Sequence, residues 1–167
     1  MSVADHLSNR SMSIACSVIT VSDTRTNLTD KSGNLVKELL MKAGHQIAFY
    51  NIVKDEPSEI MTSLNEAAKK ATDVILITGG TGIAKRDVTI ETISPLYEKE
   101  IIGFGELFRM LSYTEDIGSA AMMSRASAGV YKNKAVFIMP GSTGAVSLAM
   151  NKLILKELVH VVKELNK

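Results

Sequence analysis

The sequence predicts an α/β fold, a three-layer α/β/α sandwich on a mostly parallel sheet. Three observations carry that prediction. Segments of strand and helix character alternate as β-α-β-α-β through the first half of the chain, the order that parallel strands joined by crossover helices produce. Val74 to Ile77 is continuously apolar and largely β-branched, as a strand covered on both faces should be. That strand then empties into Thr78-Gly79-Gly80-Thr81-Gly82, a glycine-rich turn of the kind found where a strand hands over to a ligand site or a helix.

Each element has its own warrant. Residues 1–13 are polar and aperiodic and are expected to form a flexible arm, either a free tail or one reaching a neighbouring subunit, ahead of a single domain over 14–167. Ile14 to Val21 (IACSVITV) reads as the first strand and runs into Ser22-Asp23-Thr24-Arg25-Thr26. Asp30 or Ser32 is placed to cap a helix on which Leu35, Val36, Leu39 and Leu40 recur at helical spacing and which Gly44 closes. Ile47 to Val53 is the second strand. Lys54-Asp55-Glu56 leads to Pro57, suited to the first turn of a helix reaching about Lys70, with Ile60, Met61, Leu64, Ala67 and Ala68 as its inner face.

Past the central strand, a helix is expected from Asp87 to about Lys99, bent at Pro95. Gly103-Phe104-Gly105-Glu106 reads as a turn before a short helix near Leu107 to Tyr113, and Gly118 to Met123 as another helical piece. Ala128 to Tyr131 and Ala135 to Met139 read as two strands around Lys132-Asn133-Lys134. Pro140-Gly141-Ser142-Thr143-Gly144 is a second glycine-rich turn. From Ala145 onward the pattern is one long helix, with Leu148, Leu155, Leu158 and Val162 inward.

Composition narrows the function classes. At 167 residues with 46% hydrophobic and 22% charged residues, the chain has the make-up of a soluble globular protein with an ordinary core. A formal net charge of +1 offers no field for nucleic acid or an anionic membrane. There is no apolar run long enough to span a bilayer and no signal-peptide pattern, so a cytoplasmic location is expected. Cys16 is the only cysteine and lies in an apolar strand, so it reads as a buried small hydrophobe. His6, His45 and His160 lack metal-ligand spacing.

The chemistry concentrates at strand ends. In a right-handed parallel sheet the strand C-termini share one edge, where such folds bind ligands. The first strand brings Ser22 and Asp23 to it, the second Asp55 and Glu56, the third the glycine turn with Lys85, Arg86 and Asp87, and a late strand Pro140, Gly141 and Ser142. Successive free amides in a glycine turn make a concave anion site, and cations with a carboxylate beside it suit a phosphate with a metal ion. Taken singly, each feature has a structural reading too. The glycine turn could be a tight connection only, and Asp55 and Glu56 could serve the positive end of the following helix. Arg125, between Ser124 and Ser127, could bind a phosphate or cap a helix.

From about Ile14 to the end, the chain resembles the molybdenum-cofactor biosynthesis proteins of the MoaB/MogA family, which share a molybdopterin-binding domain fold. The residues that carry the resemblance are Val21-Ser22-Asp23, Asp30-Lys31-Ser32-Gly33, Asp55-Glu56, Thr78-Gly79-Gly80-Thr81-Gly82 followed by Arg86-Asp87-Val88-Thr89, Gly103-Phe104-Gly105-Glu106, Ser124-Arg125-Ala126 and Pro140-Gly141-Ser142. Ser142-Thr143 after Pro140-Gly141, and Glu91 to Pro95, place it on the MoaB side. The resemblance implies binding of molybdopterin, the phosphorylated pterin dithiolene, and transfer of AMP from ATP to its terminal phosphate with Mg²⁺. It implies Asp55 and Asp87 as the essential acids and metal ligands. Ser22, Asp23, Thr78, Gly79, Gly80, Thr81, Gly82 and Arg86 would hold phosphate, with Ser124, Arg125, Pro140, Gly141 and Ser142 lining the pterin pocket. A homo-trimer or homo-hexamer and a separate molybdate-inserting partner enzyme are further implications. A non-catalytic molybdopterin carrier and a generic nucleotide- or flavin-phosphate-binding domain are the competing readings.

Overall fold

The computed structural model describes residues 12–167, so most of the arm expected over 1–13 lies outside the described residues. The elements are β1 (Ala15–Val21), α1 (Lys31–Lys42), β2 (Gln46–Val53), α2 (Pro57–Lys69), β3 (Val74–Thr78), α3 (Thr89–Ile93), β4 (Lys99–Glu100), α4 (Ile102–Glu115), β5 (Ser127–Tyr131), β6 (Lys134–Met139), α5 (Thr143–Ala149) and α6 (Leu155–Leu165). They form one six-stranded sheet in the order β2-β1-β3-β6-β5-β4. β2, β1, β3 and β6 are mutually parallel; β5 runs antiparallel to β6, and β4 antiparallel to β5.

Alternation along the central strands assigns the two faces. Cys16, Val18, Val74, Leu76, Ala135 and Phe137 point one way and pack with Val36 and Leu40 of α1, Phe104 and Phe108 of α4, and the C-terminal helices. Ile19, Val21, Ile75, Ile77, Val136 and Ile138 point the other way, against Ile60, Leu64 and Ala67 of α2 and Ile93 of α3. Every residue of β3 is buried, which is what a central parallel strand covered by helices on both faces requires. The architecture is the predicted three-layer α/β/α sandwich. Cys16 is fully buried, and burial, with the Asp73 carboxylate, pushes its thiol up to about 12.

Local chemistry explains most boundaries. Asp30 caps α1 by accepting the Gly33 amide at 3.0 Å, and Gly44 follows that helix at φ +88°. Pro57 starts α2. Lys132 and Asn133 both adopt positive φ between β5 and β6, the twist that a two-residue hairpin needs.

Three expectations are corrected. The helix expected from Asp87 to about Lys99 ends at Ile93; Pro95 opens a 3₁₀ turn over Ser94–Leu96, and the chain then extends into β4. Gly103 and Gly105 lie inside α4, which begins at Ile102, because the helix carries Phe104 and Phe108 into the core; at 105 a side chain would also meet the Ala126 carbonyl at 2.7 Å. The C-terminal helix is broken by a π turn over Met150–Ile154 between α5 and α6.

Candidate functional site

The C-terminal ends of β1, β2, β3 and β6 are laced together before any ligand is considered. The Ser22 amide donates to the Val53 carbonyl at 2.8 Å, and Asp23 Oδ1 accepts the Asp55 amide at 3.0 Å, joining the loops after β1 and β2. Ser22 Oγ accepts the amides of Thr24 and Arg25, folding the β1 loop back on itself. The Gly79 amide donates to the Met139 carbonyl at 3.1 Å, which ties the glycine turn to β6.

The glycine turn is shaped by positive φ and by close neighbours. Gly79 stands at φ +94° and Gly80 at φ +65°. A Cβ on Gly79 would lie 2.2 Å from the Val21 carbonyl oxygen, and one on Gly80 would lie 2.1 Å from Thr89 Oγ1. Thr89 braces the turn from the start of α3: its hydroxyl donates to the Gly79 carbonyl at 2.8 Å and its amide to the Gly80 carbonyl at 3.1 Å. The amides of Gly80, Thr81 and Gly82 make no hydrogen bond among the described residues, so the turn presents free donors. Asp87 Oδ2 accepts the Ala84 amide at 3.0 Å and closes the loop beyond it.

Between these loops lies a cleft of about 570 Å³. Ser22, Asp23, Asp55, Thr78, Gly79, Gly80, Thr81, Gly82, Arg86, Asp87, Ser124, Arg125, Pro140, Gly141 and Ser142 all line it. The two glycine-rich turns touch at its floor, a Cβ on Gly141 falling 3.2 Å from Gly79 Cα. Ser142 caps α5, accepting the Ala145 amide at 3.2 Å.

Arg125, expected to bind a phosphate, cap a helix or line the pterin pocket, lines the cleft but turns its guanidinium onto the glycine turn. Its Nε donates to the Thr81 carbonyl at 2.9 Å, Nη2 to the Gly82 carbonyl at 2.8 Å, and its two terminal nitrogens fork onto Glu91 of α3. It therefore buttresses the glycine turn through two of its carbonyls. The Arg125 hydrogen bond holds the Glu91 carboxyl below its ordinary range.

The acids lie against the same turn: a Cβ on Gly80 would fall 3.1 Å from Asp55 Oδ1, and one on Gly82 2.6 Å from Asp87 Oδ2. Burial, with Asp23 and then Asp87 nearby, raises the Asp55 carboxyl, and Arg86 only partly offsets this. Arg86 reaches Asp23 at 4.0 Å. Such a set gains from a bound cation, which would relieve the repulsion between the carboxylates. No group of three or more acids, histidines or cysteines among the described residues converges as a self-sufficient metal cage. The set fits Mg²⁺ in the manner that ion prefers, through one or two carboxylates completed by phosphate oxygens and water.

Several lining or supporting residues were not anticipated. Thr89 and Glu91 sit within the motif region yet act on the turn from α3, and Arg25, Ser32, Ser112, Asp116 and Met123 line the cleft. Arg25 had a sequence signal, being two residues beyond Asp23 in the same strand-end loop. Ser112, Asp116 and Met123 had none, because the cleft's remaining wall is brought in by α4 and the 3₁₀ turn over Gly118–Met123.

A mostly parallel sheet with a glycine turn of free amides, carboxylates beside it and a broad cleft at its C-terminal edge has the features of a fold that binds ligands at that edge. The family model described as "probable molybdopterin binding domain" matches residues 17–160. The chain is 61% identical to molybdenum cofactor biosynthesis protein B of Bacillus subtilis (strain 168) over 168 residues, spanning 100% of this chain and 99% of that relative. A crystal structure of molybdenum cofactor biosynthesis protein B superposes with a TM-score of 0.91 at 58% identity, covering 93% of this chain and 97% of that one. The tungsten cofactor synthesizing protein MoaB from Pyrococcus furiosus superposes with a TM-score of 0.85 at 40% identity, covering 93% and 98%. The chain belongs to the molybdopterin-binding family of molybdenum cofactor biosynthesis proteins, on its MoaB side.

Proposed function

We propose that this protein binds molybdopterin and adenylates its terminal phosphate with Mg-ATP. The observation that supports the reading most is the meeting of the free glycine-turn amides with Asp55 and Asp87 in one cleft. Nucleotidyl transfer asks chiefly for positioning and charge neutralisation, with no covalent nucleophile from the protein. A phosphate oxygen of molybdopterin bonds to the α-phosphorus of ATP, the bond from that phosphorus to the bridging oxygen breaks, and pyrophosphate leaves with the electron pair.

The chain's residues divide the work. The amides of Gly80, Thr81 and Gly82 receive phosphate oxygens, Arg86 adds positive charge, and Thr89 holds the turn in shape, while the buried Thr78 hydroxyl donates to Thr20 and not to phosphate. Asp55 and Asp87 would hold Mg²⁺, which supplies charge neutralisation on the phosphates. Ser124 and the Pro140-Gly141-Ser142 turn border the pterin. Action in the cytoplasm as a homo-trimer or homo-hexamer, handing adenylated product to a molybdate-inserting enzyme, completes the proposal.

The test is pyrophosphate release from Mg-ATP in the presence of purified molybdopterin. Release that needs molybdopterin and falls by about a hundredfold or more in Asp87→Ala and Asp55→Ala is the expected result. Tight molybdopterin binding with no turnover in the unmutated protein would instead establish a carrier.

A further inference from the structure

Three arginines line the cleft, and their surroundings differ. Arg125 commits its guanidinium to Thr81, Gly82 and Glu91. Arg86 is 71% exposed and makes a single long contact with Asp23. Arg25 is only 32% exposed; its Nη1 donates to Ser32 Oγ at 3.1 Å and its Nη2 to the Gly141 carbonyl at 3.3 Å. A guanidinium carries five N–H donors, so Arg25 keeps capacity for a ligand while already fixed in place.

What fixes it lies underneath. Asp30 is fully buried with Oδ1 3.7 Å from Arg25 Nη1. Its two oxygens also accept from Thr20 of β1, Tyr50 of β2 and the Gly33 amide of α1. A buried anion held by two strands and a helix sets the direction of the guanidinium without covering its outer edge. Asp116 lies near the start of α5, its Oδ2 3.6 Å from where a Cβ on Gly144 would stand, and Asp23 of the same loop as Arg25 is turned onto the Asp55 amide and Arg86, so the guanidinium is the group here that an anion can use.

Topology separates the groups that hold Arg25 from Asp55 and Asp87. Asp55 and Asp87 precede α2 and α3, on one face of the sheet, whereas Ser32 belongs to α1 and Gly141 leads to α5, on the other. The cleft thus has a carboxylate half suited to a cation-bound polyphosphate and a guanidinium half suited to a metal-free phosphate dianion, which arginine takes in a planar fork.

We propose that Arg25 recognises the phosphate monoester of the pterin substrate and holds it as the acceptor for nucleotidyl transfer. This rests on the molybdopterin reading above. The experiment is equilibrium binding of a fluorescent pterin alcohol and of its phosphate monoester, alongside a fluorescent Mg-ATP analogue. Arg25→Gln is expected to weaken the monoester by about tenfold to a hundredfold while leaving the alcohol and the nucleotide within about twofold. Arg25→Lys should fall between, because it keeps the charge without the fork, and it carries the test if the glutamine variant does not fold. Equal losses for alcohol and monoester, or no loss in either variant, overturn the assignment of Arg25 alone. An unmutated protein that binds neither pterin overturns the substrate reading and this inference with it. Intact discrimination at Arg25 without pyrophosphate release overturns adenylation and leaves Arg25 standing.

Discussion

Asp55, which lines the cleft, and Asp30, buried beneath it, show how differently two carboxylates can be held. Burial and the neighbouring Asp23 raise the Asp55 carboxyl, so its ionisation works against folding. Its contribution is favourable below the unfolded value of 3.8 and is lost as pH rises through the higher folded value. Asp55→Asn is therefore expected to raise the melting temperature at neutral pH, to leave it unchanged in strong acid, and to abolish turnover; thermal unfolding across pH checks the first two. Asp30 is the reverse case. Burial alone would raise it, but hydrogen bonds from Tyr50, Thr20 and the Gly33 amide, with Arg25 nearby, bring it below the ordinary range. That stability is present above 3.8 and lost as pH falls through the depressed folded value. Asp30→Asn, which removes the charge and leaves donors short of acceptors, should cost about 2–4 kcal/mol in denaturant unfolding at neutral pH.

The glycine turn behaves as a unit with Thr89 and Arg125. Gly79→Ala would drive a Cβ into the Val21 carbonyl, a backbone atom of a central strand that cannot yield. Gly80→Ala would strike the Thr89 hydroxyl, a side chain that can be removed. Each substitution also forces a positive φ on alanine. Each should cost about 2–4 kcal/mol alone, but Thr89→Ala should recover part of the Gly80→Ala loss and none of the Gly79→Ala loss. A double-mutant cycle by chemical denaturation measures this; equal recovery at both positions would contradict the geometry. The same logic places the Glu91–Arg125 pair: half-exposed charges contribute little by attraction alone, so its importance lies in orienting a guanidinium that holds two turn carbonyls.

Across the whole protein, α4 leaves an apolar face uncovered. Ile102 is 60% exposed, Met110 52% and Tyr113 61%, with Leu107 between them. Large apolar side chains clustered on one helix mark a contact surface, and a homo-oligomer would cover it. Leu107→Glu or Met110→Glu is expected to shift the protein to a lighter species in light scattering coupled to size exclusion while preserving the circular dichroism spectrum. An unchanged mass in both variants would exclude this face from the interface. Among the described residues no helix is long and apolar enough to cross a membrane.

What the sequence determines here is set by short-range rules. The apolar runs of β1, β3 and β6, proline at the start of α2, the Asp30 cap and the glycine run all act within a few residues, so the layers and the strand-end loops could be read directly. The loops' meeting at one edge follows from the single handedness of crossovers. The tertiary structure decides matters that depend on distant partners. Gly103 and Gly105 look like a turn locally, but packing of Phe104 and Phe108 into the core outweighs the helix cost of glycine, about 1 kcal/mol each. The two-residue β4 has no pattern of its own and exists only because β5 offers an open edge. Arg125 facing the turn's carbonyls, and Arg25 held over a buried aspartate tied to Tyr50, depend on contacts spanning 20 to 116 positions of sequence. Those orientations arise when the strands align, since only a folded sheet brings such donors and acceptors within reach.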